Sequence, residues 1–515
     1  MSDQTALPEP QWFGHPRGLY VLFFAEMWER FSFYGMRALL VFYLTKHFLF
    51  SDQQASGLYA TYASLVYLMP VLGGLVADRY LGFRRAIVFG AVLLCIGHLG
   101  MAWEGFGATR DASGAIIRDE FAMNVLYGAL AFIIIGVGFL KPSISSIVGQ
   151  LYGPEDERRD GGFTIFYMGI NLGSMLASLA CGYLGETYGW AYGFGLAGFG
   201  MLLGLATFLR GSNLLGDAGC APDEAASGIA QSGWRLADLP IYLGGLAGVA
   251  VAWWLIQSQA LVGTLLSWTS VVAILGVIWF SLRRCTPIER DRMLAVLILI
   301  AVSVVFWALF EQAGSSLNLF ADRNVDRTLF GLEIRASQLQ SLNPMFIILL
   351  APLFAALWPA LAHRGLEVST AAKFGLAVLQ VGLGFLALVY GAALAEDGQV
   401  ALFWLVLAYF LHTTGELCLS PVGLSMVTRL SVPRVVGLMM GVWFLSSSVA
   451  HYVAGLIAQM ASVEDGAGAA AADSLVVYTD TFTLVAQVAG VVGALVLLAS
   501  PLLRRLAHEG RGASR

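Results

Sequence analysis

Long apolar runs restrict this chain to one kind of fold. Segments 121–152, 400–430 and 478–503 each exceed the roughly 20 residues that a helix needs to cross hydrocarbon. In lipid every backbone amide must find its partner within the segment, so such runs are read as helices. Strands of a barrel would alternate polar and apolar residues over about 10 positions, and no such pattern occurs. Composition agrees with this. Of 515 residues, 58% are hydrophobic and only 12% charged, too little charge for the surface of a soluble protein of this length. The expected fold class is all-α and integral to the membrane.

Reading hydropathy against its breaks gives about 14 spans by the length rule. They fall at 18–48, 54–77, 84–103, 121–152, 160–188 and 191–209, then 239–256 and 261–282. Six more follow at 292–320, 336–361, 370–394, 400–430, 433–460 and 478–503. This divides the chain into a terminal segment 1–17, a six-helix bundle 18–210, a polar loop 211–238 and two inserted helices at 239–283. A second six-helix bundle at 290–506 and a tail at 507–515 complete it. The inserted pair carries no charged residue between Leu239 and Leu282, which marks it as scaffold rather than pathway. Segment 1–17 is polar and lacks the basic-then-apolar layout of a cleaved signal, so the first helix is expected to direct insertion.

Basic residues are distributed unevenly. Arg79, Arg84, Arg85, Arg158, Arg159, Arg283, Arg284, Arg290, Arg292, Arg364, Lys373, Arg429, Arg434, Arg504 and Arg505 fall on one side. The other side holds Lys46, Arg110, Arg118, Arg323, Arg327 and Arg335, several of them beside acids. The positive-inside rule then puts both termini in the cytoplasm, with the loop 323–335 fitting it least well. Net charge is −5 and there is no basic tract, so nucleic-acid binding is not expected. Five scattered cysteines without a CxxC indicate neither a disulfide framework nor a zinc site. No HExxH or GxSxG occurs, and Gly136–Lys141 only faintly resembles a phosphate loop, so an enzyme is not expected.

The most informative segment is Ala25-Glu26-Met27-Trp28-Glu29-Arg30-Phe31-Ser32-Phe33-Tyr34-Gly35-Met36-Arg37. At about 100° per residue, Glu26, Glu29, Arg30, Phe33 and Arg37 share roughly a third of the helix circumference, with Tyr34 at its border. Two acids and two bases on one face are too costly to point at lipid and must face a bundle interior or water. The competing reading is an interfacial cluster whose long side chains snorkel to the surface. The apolar run continues to Phe48, which weighs against that for Arg30 and Arg37.

Other polar groups lie at depth. Lys141 sits in Gly138-Phe139-Leu140-Lys141-Pro142, and Tyr67 in the second span. Tyr167 and Asn171 share a face at i, i+4, as do Trp307 and Glu311, and Glu416 and Ser420. Asn343, Trp443 and Ser447 are further candidates. Snorkelling remains open for Lys141, and plain packing for Trp443. The acids Glu26, Glu29, Glu311 and Glu416 outnumber the bases Arg30, Arg37 and Lys141 by one. Burial penalises that extra anion, so the set is neutral only when one acid takes a proton. Such a site suits proton coupling, since a pH unit supplies about 1.4 kcal/mol and 100 mV about 2.3 kcal/mol per charge.

Together these residues resemble the proton-coupled oligopeptide transporter (POT, or PTR) family of the major facilitator superfamily. The first-helix pattern ExxERFxYYG reads Glu26-Met27-Trp28-Glu29-Arg30-Phe31-Ser32-Phe33-Tyr34-Gly35, and FYxxINxGS is intact as Phe166–Ser174. Phe306–Gln312, Glu416–Gly423 and Gly138–Pro142 are also similar, in the family's order. The loop Gly73–Arg79 with Gly82 and Arg84-Arg85 looks like the superfamily signature between the second and third helices, where an Asp and bases could latch one conformation. An ordinary positive-inside loop would look alike.

The resemblance implies two six-helix bundles with two extra helices between them, in a bacterial inner membrane. It implies import of di- and tripeptides with protons as the coupling ion and no other cofactor, and nothing demands more than a monomer in membrane lipid. Arg30, Arg37 and Lys141 would attract the peptide carboxylate. Glu416, with Asn343 and Ser420, would hold its amine. Tyr34, Tyr67, Tyr167 and Asn171 would contact its backbone, with Trp307 and Trp443 lining side-chain pockets. Glu26, Glu29 and Glu311, with Arg30, would carry or relay protons. Arg37–Glu311 would gate the outer side and Lys141–Glu416 the inner side.

Two departures stand out. Phe33 replaces an expected tyrosine on what the helical wheel makes the cavity face. The second span lacks the histidine of animal relatives, so carboxylates are expected to carry protons alone. The short loop 395–399 leaves no room for the external domain of animal members. A transporter of nitrate or of a peptide-like drug is the nearest alternative, and a non-transporting membrane sensor a more distant one. The intact ExxER favours peptides, and a sensor would gain nothing from so costly a buried charge set.

Overall fold

The structure, a computed structural model, describes residues 11–153, 156–221, 235–463 and 470–509. The terminal segment, polar loop and tail named above therefore lie partly outside the described residues. The first bundle comprises α1 (Arg17–Phe42), α2 (Asp52–Val76), α3 (Phe83–Met101), α4 (Glu120–Gln150), α5 (Arg159–Tyr188) and α6 (Trp190–Gly211). Helices α7 (Leu239–Ile256) and α8 (Gln259–Arg284) follow. The second bundle holds α9 (Pro287–Phe310), α10 (Ser316–Asn324), α11 (Leu342–His363), α12 (Thr370–Ala393), α13 (Leu402–Leu430), α14 (Val436–Met460) and α15 (Ala471–Leu506). Among the described residues 13 spans are long and apolar enough to cross a bilayer. Helix α1 has the length but carries the Glu26 to Arg37 charges, and it is buried on nearly every side.

Local chemistry explains the boundaries. Ser51 and Gln54 form a capping box at the start of α2, and Thr286 and Glu289 form another ahead of Pro287 in α9. Gly173, in the fifth-helix motif, sits where α5 crosses α1, and a β-carbon there would collide with the Met27 carbonyl. That glycine draws the FYxxINxGS segment against the ExxER segment.

Where the sequence reads one span over 292–320, the structure breaks it. Helix α9 stops at Phe310, Glu311–Gly314 form a 3-10 turn, and Ser315 leaves helical geometry at φ −133°, ψ −100° before α10 begins. The freed polar groups are met locally. Gln312 Nε2 donates to the carbonyls of Ala308 (3.0 Å) and Ala454 (2.9 Å), and Ser316 Oγ donates to Gln312 Oε1 (2.6 Å). Irregular backbone at membrane depth is tolerated where protein encloses it or a cavity adjoins it, and here Glu311 sits at the break.

The two bundles meet reciprocally. Counting α9 and α10 as one broken span, helix α2, second in its bundle, packs on α14, fifth in the other, while α5 packs on α11, the second of that bundle. This is the arrangement a two-fold relation between bundles requires. Helix α7 leans on α4, and α8 on α9 and α14. Their apolar side chains, Trp254, Trp268 and Trp279 among them, remain exposed, as a lipid-facing scaffold needs.

In the loop between α2 and α3 the expected Asp–Arg latch is not formed in this structure. Asp78 is exposed and makes no ion pair among the described residues. Arg84 instead donates to the carbonyls of Ala218 (2.7 Å) and Gly216 (2.5 Å), and Arg85 pairs with buried Asp238 at the entry to α7. These bases clamp the connection to the inserted pair. At the other end polar contacts tie the bundles together. Arg323 takes both oxygens of Asp52 (2.6 and 2.8 Å), Lys46 pairs with Asp322 (2.8 Å), and Ser337 N donates to Glu186 (2.9 Å).

Candidate functional site

A cavity of about 390 Å³ lies between the bundles. It brings together Tyr34, Arg37, Tyr67, Tyr167, Asn171, Trp307, Glu311, Asn343, Glu416, Ser420 and Trp443, all singled out from the sequence. Every one of these side chains is delivered by a helix that the bundle contact passes through or borders.

One wall carries the closed cross-bundle pair. Arg37 Nη2 on α1 lies 2.5 Å from Glu311 Oε2 at the α9 break, and Arg37 Nε donates to Tyr59 OH at 2.8 Å. Both charged side chains are buried. Gly314 makes this possible, because a β-carbon there would collide with the Tyr59 hydroxyl and crowd Arg37. The opposite bundle supplies Glu416 on α13, which accepts a hydrogen bond from Asn343 Nδ2 at 2.9 Å and makes no ion pair among the described residues. Pro421 interrupts α13 just beyond Ser420, and Pro142 interrupts α4 just beyond Lys141, so neither polar group sits in an unbroken helical ladder.

The expected inner pair is not formed. Lys141 holds its ammonium 4.3 Å from the centre of the Tyr67 ring and makes no ion pair among the described residues. Glu416 keeps to Asn343 in the other bundle, and the cavity intervenes. Separation of two opposite charges by an open space is the physical reason this pair is absent while Arg37–Glu311 is closed.

Arg30 does not line the cavity, and neither do Glu26, Glu29 and Lys141. Arg30 Nη2 donates to Glu29 Oε1 at 2.6 Å, its Nε pairs with Glu29 Oε2 as well, and Glu26 Oε1 lies 3.3 Å away. All three are buried, and Glu26 Oε2 has no hydrogen-bond partner among the described residues. Two carboxylates around one guanidinium, enclosed in protein, have room for one proton before their charges balance. The cluster lies outside the cavity lining, on the α1 face that continues to Arg37.

Residues 84–474 match the model of the POT family. The chain belongs to the POT family. Its members are transporters, and the fold is theirs. Peptide transporter YePEPT of Yersinia enterocolitica is 36% identical over 97% of both chains. Dipeptide and tripeptide permease A of Erwinia pyrifoliae is 35% identical over 96% of each. A solved mutant of a peptide transporter, POT, in complex with alafosfalin is 35% identical, with a TM-score of 0.79 over 97% of both chains. As a POT protein the chain is a multi-pass membrane protein of two six-helix bundles with two inserted helices.

Two findings correct the sequence reading of this POT site. Phe33 is absent from the cavity lining. Its ring lies 5.1 Å from the Arg30 guanidinium and edge-on to Tyr34, packed within the α1 charge cluster itself. Phe33→Tyr is therefore expected to change dialanine affinity by less than about twofold, under 0.5 kcal/mol. Competition binding on the purified variant checks this, and a tenfold change would put the ring in contact with substrate.

The second correction concerns His451. It lines the cavity from α14, stacks on Tyr67 with ring centres 4.0 Å apart, and lies 3.5 Å from Glu311. The absence of a histidine from the second span does not leave carboxylates alone in this site. A signal existed in the sequence: Trp443, Ser447 and His451 recur at i, i+4 and i+8 on one helical face. Gln340, Phe444 and Tyr409 also line the cavity unforeseen.

Proposed function

We propose that this chain imports di- and tripeptides together with protons by alternating access across a bacterial inner membrane. One observation carries the reading: the cavity presents a guanidinium from the first bundle and a carboxylate from the second, Arg37 and Glu416, across tyrosine and tryptophan side chains. A zwitterion of limited length meets both charges at once, and aromatic walls accept varied side chains. About 300–1,000 Å³ is the usual size of small-molecule sites, and this cavity falls within it. The names of YePEPT and of permease A, peptide and di- and tripeptide carriers, support the same substrate class.

The gates support a conformation closed at the Arg37–Asp52 end and open at the other. Closing the open end would bring Lys141 toward Glu416, and opening the closed end would strip Glu311 from Arg37. Losing a buried partner costs about 3–5 kcal/mol unless substrate or proton replaces it, so loading and gate movement are linked. Arg323, Arg327 and Arg335 at the closed end are paired with Asp52, Asp322 and Glu333.

Proton coupling rests on the Glu26–Glu29–Arg30 cluster and on Glu311. In liposomes Glu29→Gln is expected to reduce dialanine uptake driven by a pH gradient at least about tenfold, a loss of 1.4 kcal/mol of coupling. Peptide counterflow, which needs no net proton movement, is expected to fall much less. Driven uptake equal to wild type would remove Glu29 from the coupling role.

A further inference from the structure

We propose that His451 and Glu311 form a dyad that holds one transported proton and governs the Arg37 latch between the bundles. The proposal rests on reading the site as proton-coupled and adds the residue pair that does the holding. Three contacts fix the chemistry. His451 Nδ1 lies 2.8 Å from the Ser447 carbonyl, which can only accept, so Nδ1 carries a hydrogen. In the neutral ring Nε2 is then a bare lone pair, and it faces Glu311 Oε1 at 3.5 Å. A lone pair facing a carboxylate oxygen repels; the contact becomes attractive only when one proton occupies it.

The proton can be held in two ways without breaking any other bond. On Nε2 it makes an imidazolium beside an anionic carboxylate; on Oε1 it makes a neutral carboxyl donating to the imidazole. In both cases the second oxygen, Oε2, still accepts from Arg37 Nη2. In the first case Glu311 divides its charge between two cations, and in the second Arg37 faces a neutral group. Either change weakens the attraction joining α1 to the second bundle. Loading a proton therefore loosens the closed end.

The surroundings favour this role. His451 is only 5% exposed. Tyr67 on α2 covers its ring and also holds the Lys141 ammonium. Arg37 and Tyr59 approach from the far side of the carboxylate, and Tyr34 and Glu416 face the same cavity from α1 and α13. Glu416 is the anion across the space among the described residues, held by Asn343 rather than by the dyad.

Two measurements on the full-length protein separate this proposal from the reading it rests on. Histidine-15N NMR in detergent, with His451→Gln assigning the signal, needs no transport. At pH 8 it is expected to show His451 as the Nδ1–H tautomer, and Glu311→Gln is expected to change the pH at which that signal titrates. An Nε2–H tautomer, or a titration indifferent to Glu311→Gln, overturns the dyad. In liposomes His451→Gln is expected to lower the ratio of gradient-driven dialanine uptake to counterflow at least about tenfold. A wild-type ratio in that variant also overturns it, whereas a wild-type protein that ignores the gradient overturns the coupling reading instead.

Discussion

Arg37→Ala is expected to reduce gradient-driven dialanine uptake by about two orders of magnitude or more. Arg37 and Glu311 are both buried and 2.5 Å apart, and Arg37 also binds the Tyr59 hydroxyl. Truncating the arginine strips buried Glu311 of its ion-pair partner, a penalty of about 3–5 kcal/mol. It also removes the guanidinium proposed to meet the peptide carboxylate. The two effects can be told apart. In Arg37→Ala with Glu311→Ala no charge is stranded, so thermal stability is expected to recover toward wild type while driven uptake does not. Uptake by Arg37→Ala within about threefold of wild type, less than 1 kcal/mol, would contradict the assignment.

Glu416→Gln is expected to weaken dialanine binding about ten- to a hundredfold, the 1.5–3 kcal/mol of a hydrogen bond to a charged group. The substitution keeps the shape and the contact with Asn343 and removes only the charge. Competition by N-acetyl-dialanine provides the control, since that compound lacks the ammonium the carboxylate would hold. Wild type and variant are expected to bind it alike, and an equal loss for both ligands would assign Glu416 a merely structural place. Lys141, 4.3 Å above Tyr67 and outside the cavity lining, is expected to affect rate more than affinity.

Much of this architecture was legible because membranes leave few options. A run such as 121–152 can be satisfied only as a helix, and α4 occupies Glu120–Gln150. Charges at Glu26, Glu29, Arg30 and Arg37 had to turn inward, and all four are buried. The break at Glu311 was not legible from hydropathy, because Ala313 and Gly314 do not interrupt an apolar window. It depends on Gln312 reaching Ala454 and on Arg37 and Tyr59 crowding Gly314, contacts between segments far apart in sequence. The helical wheel put Phe33 on the charged face, correctly, but could not tell that only the Tyr34–Arg37 end of this face reaches the cavity while Phe33 lies against Arg30. Lys141 and Glu416 are separated for a similar reason. Whether two bundles are together at a given end is a matter of state, and a sequence encodes both states. His451 was overlooked because a lone histidine in an apolar run carries no motif, although its spacing from Trp443 and Ser447 pointed inward.

The most direct measurement is uptake of labelled dialanine into liposomes holding the purified wild-type protein, with and without an inward proton gradient. Accumulation above the equilibrium level only when the gradient is present, abolished by a protonophore and competed by unlabelled dipeptides, is the predicted result. Uptake that merely equilibrates under both conditions, or a gradient that drives nitrate and not dialanine, would contradict it.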